Sequence, residues 1–259
     1  MIGIFDSGVG GMTVARAVEQ FLPGYPILYL GDIARTPYGT KSADTIVEYS
    51  RRNVRFLLER GATLIVIACN TASSVATEIL RREFATPIFE VISPAVAEAA
   101  QASVSGRIGV IGTGATVRSA MYEKLLRQAR PGCRVFQKAC PLLVPLVEEG
   151  WLNRQETKMI VRRYLHPLKD QRIDTLVLGC THYPLLASLI QPRIGKKTRL
   201  IDSSLAAASF LKKTLNDNAT LAQSLNIGGE NRFFVTDRTE SVQKIAETIF
   251  HRPMTLDLV

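Results

Sequence analysis

A mainly parallel α/β fold built as two similar halves is what this sequence predicts, and three observations predict it. Apolar β-branched runs alternate with helix-period stretches along the chain, a pattern that implies parallel sheets joined by right-handed crossovers. The run Leu64-Ile65-Val66-Ile67-Ala68 ends at Cys69 and passes into Asn70-Thr71-Ala72-Ser73, and Thr175-Leu176-Val177-Leu178-Gly179 ends the same way at Cys180-Thr181-His182. At nearly the same offset, Ile2-Gly3-Ile4-Phe5-Asp6-Ser7-Gly8 is echoed by Ile108-Gly109-Val110-Ile111-Gly112-Thr113-Gly114. Two related α/β domains would then face each other in pseudo-twofold symmetry, with Cys69 and Cys180 on opposite sides of one cleft.

The cysteine at each strand tip carries the chemistry. A strand of β-branched residues without polar interruption suits a sheet covered on both faces, and the carboxyl edge of such a sheet is where ligands bind. Asn70 or Thr71 has the chemistry to cap the helix expected from Ala72 to Phe84. A thiol beside a helix N-terminus is easier to ionise, because that end favours negative charge. From the first stretch alone a merely packed cysteine is as good an account; the repeat at Cys180 favours a functional pair.

The remaining elements follow in order. Ile2 to Phe5 is a strand, Asp6 to Gly11 a glycine loop able to bring backbone N–H groups close to a carboxylate or phosphate, and Thr13 to Phe21 a helix. Ile27 to Leu30 is a strand, followed by the loop Gly31 to Gly39, too rich in Gly, Pro and polar groups to be regular. Ser42 caps a helix with Val47, Val54, Leu57 and Leu58 at helical spacing, ended by Gly61. After the Cys69 unit come a strand at Ile88 to Val91 and a helix opened by Pro94 running to about Ala102. The second half has strands at Ile108 to Val110, Arg134 to Gln137 and Arg199 to Asp202, helices at Met121 to Gln128 and Gln155 to Leu165, and a Pro-punctuated segment from Pro141 to Gly150 holding Glu148 and Glu149. Beyond Ser203 the repeat lapses into a helix at Leu205 to Leu215, a strand at Arg232 to Thr236 and a helix at Glu240 to Phe250. This tail is expected to return to the first sheet, giving domains of 1–93 plus 207–259, carrying Cys69, and 94–206, carrying Cys180.

Composition bounds the function. With 259 residues, 46% hydrophobic and 21% charged, the chain is neither disordered nor a coiled coil. The 32 basic and 23 acidic residues leave a net charge of +9, which raises nucleic acid or an anionic substrate as a partner. The basic residues nevertheless fall in scattered pairs such as Arg51-Arg52, Arg81-Arg82, Arg162-Arg163 and Lys196-Lys197, which read as solvated faces. Cysteines at 69, 133, 140 and 180 fit neither a zinc ribbon nor a disulfide scaffold, and Cys133 and Cys140 read as structural. No signal peptide and no membrane-length apolar run is evident, so a cytoplasmic location with reduced thiols is expected.

Five motifs, Asp6-Ser7-Gly8-Val9-Gly10-Gly11, Pro37-Tyr38-Gly39, Cys69-Asn70-Thr71-Ala72-Ser73, Val144-Pro145-Leu146-Val147-Glu148 and Gly179-Cys180-Thr181-His182-Tyr183-Pro184, closely resemble the signatures of the cofactor-independent glutamate racemases, in that family's order. The resemblance runs from the first strand to about Asp202. It implies a two-domain enzyme that interconverts L- and D-glutamate without metal or other cofactor and supplies D-glutamate for peptidoglycan. It implies Cys69 and Cys180 as the acid/base pair, Asp6 assisting the first and His182 with Glu148 the second. Asp6, Ser7, Tyr38, Gly39, Asn70, Thr71, Thr181 and His182 would hold the substrate, and a homodimer is expected. Aspartate racemases share the paired cysteines but lack this first loop and tend to have an acid where His182 stands. An aspartate or broad-specificity racemase is therefore the alternative within the superfamily. A nucleotide-binding protein lacks a Walker lysine pattern, and a nucleic-acid-binding module lacks aromatic-basic interleaving. Neither nucleic acid nor membrane is an expected partner.

Overall fold

In the computed structural model, which describes residues 1–259, the chain forms two fully parallel sheets. The first half alternates β1 (Ile2–Asp6), α1 (Met12–Phe21), β2 (Ile27–Gly31), α2 (Ala43–Glu59), β3 (Leu64–Ile67), α3 (Asn70–Glu83), β4 (Ile88–Glu90) and α4 (Ile92–Ala102). The second runs β5 (Arg107–Gly112), α5 (Gly114–Arg118), α6 (Met121–Ala129), β6 (Arg134–Ala139), α7 (Leu143–Glu148), α8 (Gln155–Asp170), β7 (Thr175–Gly179), α9 (Ala187–Ile194) and β8 (Arg199–Asp202). The tail adds α10 (Ser203–Asp217), α11 (Ala219–Gln223), β9 (Arg232–Val235), α12 (Glu240–Phe250) and β10 (Asp257–Leu258).

Strand order shows the internal repeat directly. The first sheet reads β10-β9-β2-β1-β3-β4 and the second β6-β5-β7-β8, so β2-β1-β3-β4 is reproduced strand for strand. Each cysteine-tipped strand lies beside the strand that leads into a glycine loop, in register from Ile2 opposite Leu64 in one half and Ile108 opposite Thr175 in the other. The tail returns to the first sheet, where β9 pairs with β2.

Both faces of each sheet are covered, which is why the strands carry apolar residues at every position rather than at alternate ones. On the first sheet, α1, α10 and α12 bury Val14, Val18, Leu211 and Ile249 against Ile4, Val66 and Val235, while α2 and α3 cover the other face through Val54, Leu57 and Leu80. The second sheet has α7, α8 and α9 on one side and α4 with α6 on the other. No helix is long and apolar enough to cross a membrane.

Several local outcomes differ from the sequence reading. The residue capping α3 is Cys69 itself, whose sulfur accepts from Ala72 N at 3.4 Å; Asn70 and Thr71 are already inside the helix. The loop after β2 contains two short 3-10 turns, Ile33–Arg35 and Tyr38–Thr40. Helix α8 continues through Pro167 to Asp170 because Val161, Leu165 and Leu168 keep its inner face buried. A helix also forms over Leu143–Glu148, despite Pro145, with Val144 and Val147 buried.

Candidate active site

Cys69 and Cys180 stand just past the carboxyl ends of β3 and β7 and line one cavity between the domains. With them are Ser7, Tyr38, Gly39, Asn70, Thr71, Thr181 and His182. Two residues singled out in the sequence stand behind this lining. Asp6, fully buried at the end of β1, accepts from Gly8 N at 3.0 Å and from Thr181 Oγ1 at 3.4 Å, so it braces the glycine loop against the opposite domain. Glu148, at the end of α7, faces the His182 ring.

The loops approach so closely that only glycine fits at two points. A Cβ on Gly10 would run into the His182 ring and the Thr181 hydroxyl, and one on Gly39 would lie 2.6 Å from Thr113 Cβ. Free space between the lining groups is about 20 Å³, against roughly 300–1,000 Å³ for sites that accept small molecules. The structure is closed over its site.

The surroundings of the two thiols differ. The Cys69 thiol donates to Ser7 Oγ at 3.5 Å, and burial together with the Asp6 charge pushes it up to about 12. Burial likewise pushes Asp6 up to about 6, less far than it would go without the His182 charge and the N–H groups of Gly8 and Gly11. Across the cleft, Cys180 Sγ lies 3.8 Å from His182 Nδ1, and His182 Nε2 lies 3.2 Å from Glu148 Oε1. Burial alone would lower His182, but the hydrogen bonds to Cys180 and Glu148 and their charges outweigh it and hold the ring up at about 10. At neutral pH this site therefore presents an anion on the Cys69 side and a cation on the Cys180 side.

Several polar side chains are already engaged within the protein. The Asn70 amide donates to Ser203 Oγ at 3.2 Å and accepts from Tyr122 Oη at 2.7 Å. The Tyr38 hydroxyl donates to Asp32 and accepts from Asn53 Nδ2. What Asn70 and Thr71 offer a ligand is thus backbone: the first N–H groups of a helix have no partner within it, and the turn after Cys180 repeats the arrangement. No group of three or more His, Cys, Asp or Glu side chains is placed to hold a metal ion.

Three residues in or beside the cavity were missed in the sequence. Thr113 bridges the domains by hydrogen bonding Thr71 at 2.8 Å; its place in the repeated glycine loop was the available signal. Thr36 lines the cavity with a buried hydroxyl that has no partner. Asp32, fully buried, binds Arg35 at 2.6 Å, Thr236 at 3.2 Å and the Tyr38 hydroxyl, and so pins the loop that carries Tyr38 and Gly39.

Two parallel α/β domains that close on each other, each delivering one thiol from a strand tip to the shared cleft, define the two-domain racemase class. The chain belongs to the Asp/Glu/Hydantoin racemase family, whose pattern matches residues 12–211. It is 46% identical over 248 residues to the glutamate racemase of Aquifex aeolicus (strain VF5), covering 96% of this chain and 93% of that protein. Among solved structures, glutamate racemase isoform RacE1 from Bacillus anthracis superimposes with a TM-score of 0.95 at 37% identity, covering 100% of this chain and 97% of that one. Glutamate racemase from Francisella tularensis subsp. tularensis SCHU S4, solved in complex with D-glutamate, gives 0.90 at 35% identity, covering 100% and 96%.

Proposed function

We propose that this chain interconverts L-glutamate and D-glutamate by moving the α-proton between two cysteines, with no cofactor. The observation that carries the reading is that Cys69 and Cys180, delivered by equivalent strands of two domains, open on the same cavity. Inverting a carbon centre requires a base on one face and an acid on the other, and a duplicated fold supplies one of each.

In this reading Cys180 serves the L-enantiomer and Cys69 the D-enantiomer. The charge pattern suits the L-to-D direction as the structure stands. The His182 ring faces the Cys180 sulfur at 3.8 Å, placed to exchange a proton with it, while Asp6 and burial keep the proton on Cys69, ready to give it. In the reverse direction the Asp6 carboxylate assists by receiving the Cys69 proton. The carbanion formed between these steps is stabilised through its carboxylate by the free N–H groups at Asn70, Thr71, Thr181 and His182 and by the glycine loop at Ser7. Tyr38, Gly39 and the unpartnered Thr36 hydroxyl complete the substrate contacts. Because the cavity is nearly filled, substrate enters only when the domains part. Residues 1–93 with 207–259 and 94–206 are the units that move, with Ala207 onward packing on the first sheet.

The wider reading is an enzyme supplying D-glutamate for peptidoglycan in the cytoplasm, as a homodimer. All four cysteines are free, which suits a reducing compartment. The direct test incubates pure protein, without pyridoxal phosphate or metal, with each enantiomer of glutamate and of aspartate, and follows optical activity. Loss of rotation from aspartate but not from glutamate would reject the substrate assignment. Loss of activity on adding a chelator would reject the cofactor-independent mechanism.

A further inference from the structure

Along the chain the cations lie in separated pairs, but the fold gathers one pair with three more. Arg162, Arg163 and Lys169 from α8, Arg172 just beyond it and Arg193 from α9 line an open groove of about 940 Å³ on the outside of the second domain. Arg162, Arg163 and Lys169 are exposed on α8, outside the stripe of Val161, Leu165 and Leu168, which is buried.

Two observations separate this groove from an ordinary solvated surface. Some exposed arginines elsewhere have a carboxylate beside them, Arg51 and Arg52 with Glu48, Arg81 with Glu78 and Arg127 with Glu123. None of the five groove cations has a carboxylate partner, and the one acid there, Asp170, lies 3.4 Å from His166 instead. Arg193 is also held in place, its Nε and Nη1 donating to the carbonyls of Lys158 and Leu189 at 3.2 and 2.8 Å. Five like charges converge with one carboxylate, Asp170, among them, and an anionic partner relieves the remaining repulsion.

The chemistry narrows the partner. Four of the five cations are arginines, whose planar forks suit phosphate oxygens. From Arg162 to Arg172 the chain covers about 15 Å at the helical rise, longer than one phosphate group and matched to a run of phosphates along a polymer. No Phe, Tyr or Trp lines the groove, so it lacks the large ring platforms on which successive unpaired bases stack. We propose that the α8–α9 groove binds the phosphate backbone of duplex nucleic acid without reading its sequence. Because α8 leads back to the start of β7, Lys169 and Arg172 lie toward the sheet edge opposite Cys180, and a bound duplex leaves the cleft free.

The test is fluorescence anisotropy of a short labelled DNA duplex of mixed sequence, titrated with the full chain at several salt concentrations. With about five phosphate contacts, log K should fall against log salt with a slope of about −4 to −5. Arg162→Glu combined with Arg163→Glu should weaken binding at least about tenfold and reduce the slope by about 2. Glutamate racemisation and the melting midpoint of that variant should stay as in the parent, which shows that the fold is intact. Lys212→Glu with Lys213→Glu, an exposed pair on α10 outside the groove, should change binding less than about twofold if the groove is the site. Absence of duplex binding at low salt, or equal loss in the two double variants, would overturn the proposal. So would poly-glutamate displacing the duplex at equal charge concentration, which would assign the groove to acidic polypeptides.

Discussion

The His182 imidazole bridges Glu148 and Cys180, with Nε2 at 3.2 Å from the carboxylate and Nδ1 at 3.8 Å from the sulfur. No imidazole stands behind Cys69, which has the Ser7 hydroxyl and the Asp6 charge instead. The two halves repeat in their strands yet differ in what surrounds each thiol, and that difference can be titrated.

The first prediction concerns stability against pH. Held at about 10 rather than its ordinary 6.5, the protonated ring contributes stability that is complete below 6.5 and is lost as pH rises toward 10. Cys69 and Cys140, pushed up from 9 to about 12, add a loss of their own only above pH 9. Asp6, raised from 3.8 to about 6, acts below the window. Between pH 6.5 and 9 the melting midpoint should therefore fall, by about 2–4 °C for each kcal/mol lost, and Glu148→Gln should flatten that fall. Parallel curves for parent and variant, measured by calorimetry, would mean that the ion pair does not hold the proton.

A second prediction rests on Asp32. Its carboxylate joins Arg35, Thr236 and the Tyr38 hydroxyl, so Asp32→Asn should loosen the loop that presents Tyr38 and Gly39 to the cleft. Misplacing binding groups by even 1 Å costs up to about a hundredfold, and kcat/KM for both glutamate enantiomers should drop about ten- to a hundredfold, chiefly through KM. Steady-state kinetics decide the matter: a lowered melting midpoint with unchanged KM would show that Asp32 serves the fold alone.

How much of this was legible in the sequence follows from how local each signal is. The strand-cysteine-helix units were readable because β-branched runs and the residues after them sit side by side in the chain. The cap of α3 was misassigned because polar Asn70 and Thr71 looked better suited than a thiol, whereas tertiary packing draws Asn70 inward to Tyr122 and Ser203. The segment from Pro141 to Gly150 was read only as Pro-punctuated, yet it holds α7, and the helix expected to end at Leu165 runs on through Pro167 because the inner face of α8 is buried. Asp32 and Thr113 escaped notice because Thr236 and Thr71, which give them meaning, are distant in sequence. The groove cations looked scattered for the same reason, since α9 is brought beside α8 only by the fold.

The third prediction separates the thiols. Cys140 follows β6 as Cys180 follows β7, so it does occupy a strand tip, yet it is buried beneath α7 and α8 and lines no part of the cavity. Cys133 is buried beside Leu126 on the other face of that sheet. Cys133→Ala and Cys140→Ala should leave turnover largely intact while lowering stability by about 1 kcal/mol, the usual scale for losing a few buried atoms. Loss of racemisation in either variant, with unchanged circular dichroism, would mean that the wrong thiols had been chosen.

The last prediction tests the two faces themselves. If Cys69 and Cys180 address opposite faces of the α-carbon, the proton removed from one enantiomer stays on one sulfur while a solvent-derived hydrogen arrives from the other. Early in a reaction run in heavy water, product should carry deuterium at the α-carbon while the remaining substrate stays almost unlabelled. A single base reaching both faces would return label to substrate and product alike. Serine at either position should stop racemisation, because one face then lacks a competent acid or base. Removal of the α-proton needs only one of them, so an analogue that loses a β-leaving group after that step isolates each half. Cys69→Ser should still process the L-form, where the His182 cation supports Cys180, and Cys180→Ser should still process the D-form. The opposite pattern would reverse the assignment of faces, and equal activity of both variants on both enantiomers would sink the two-face mechanism.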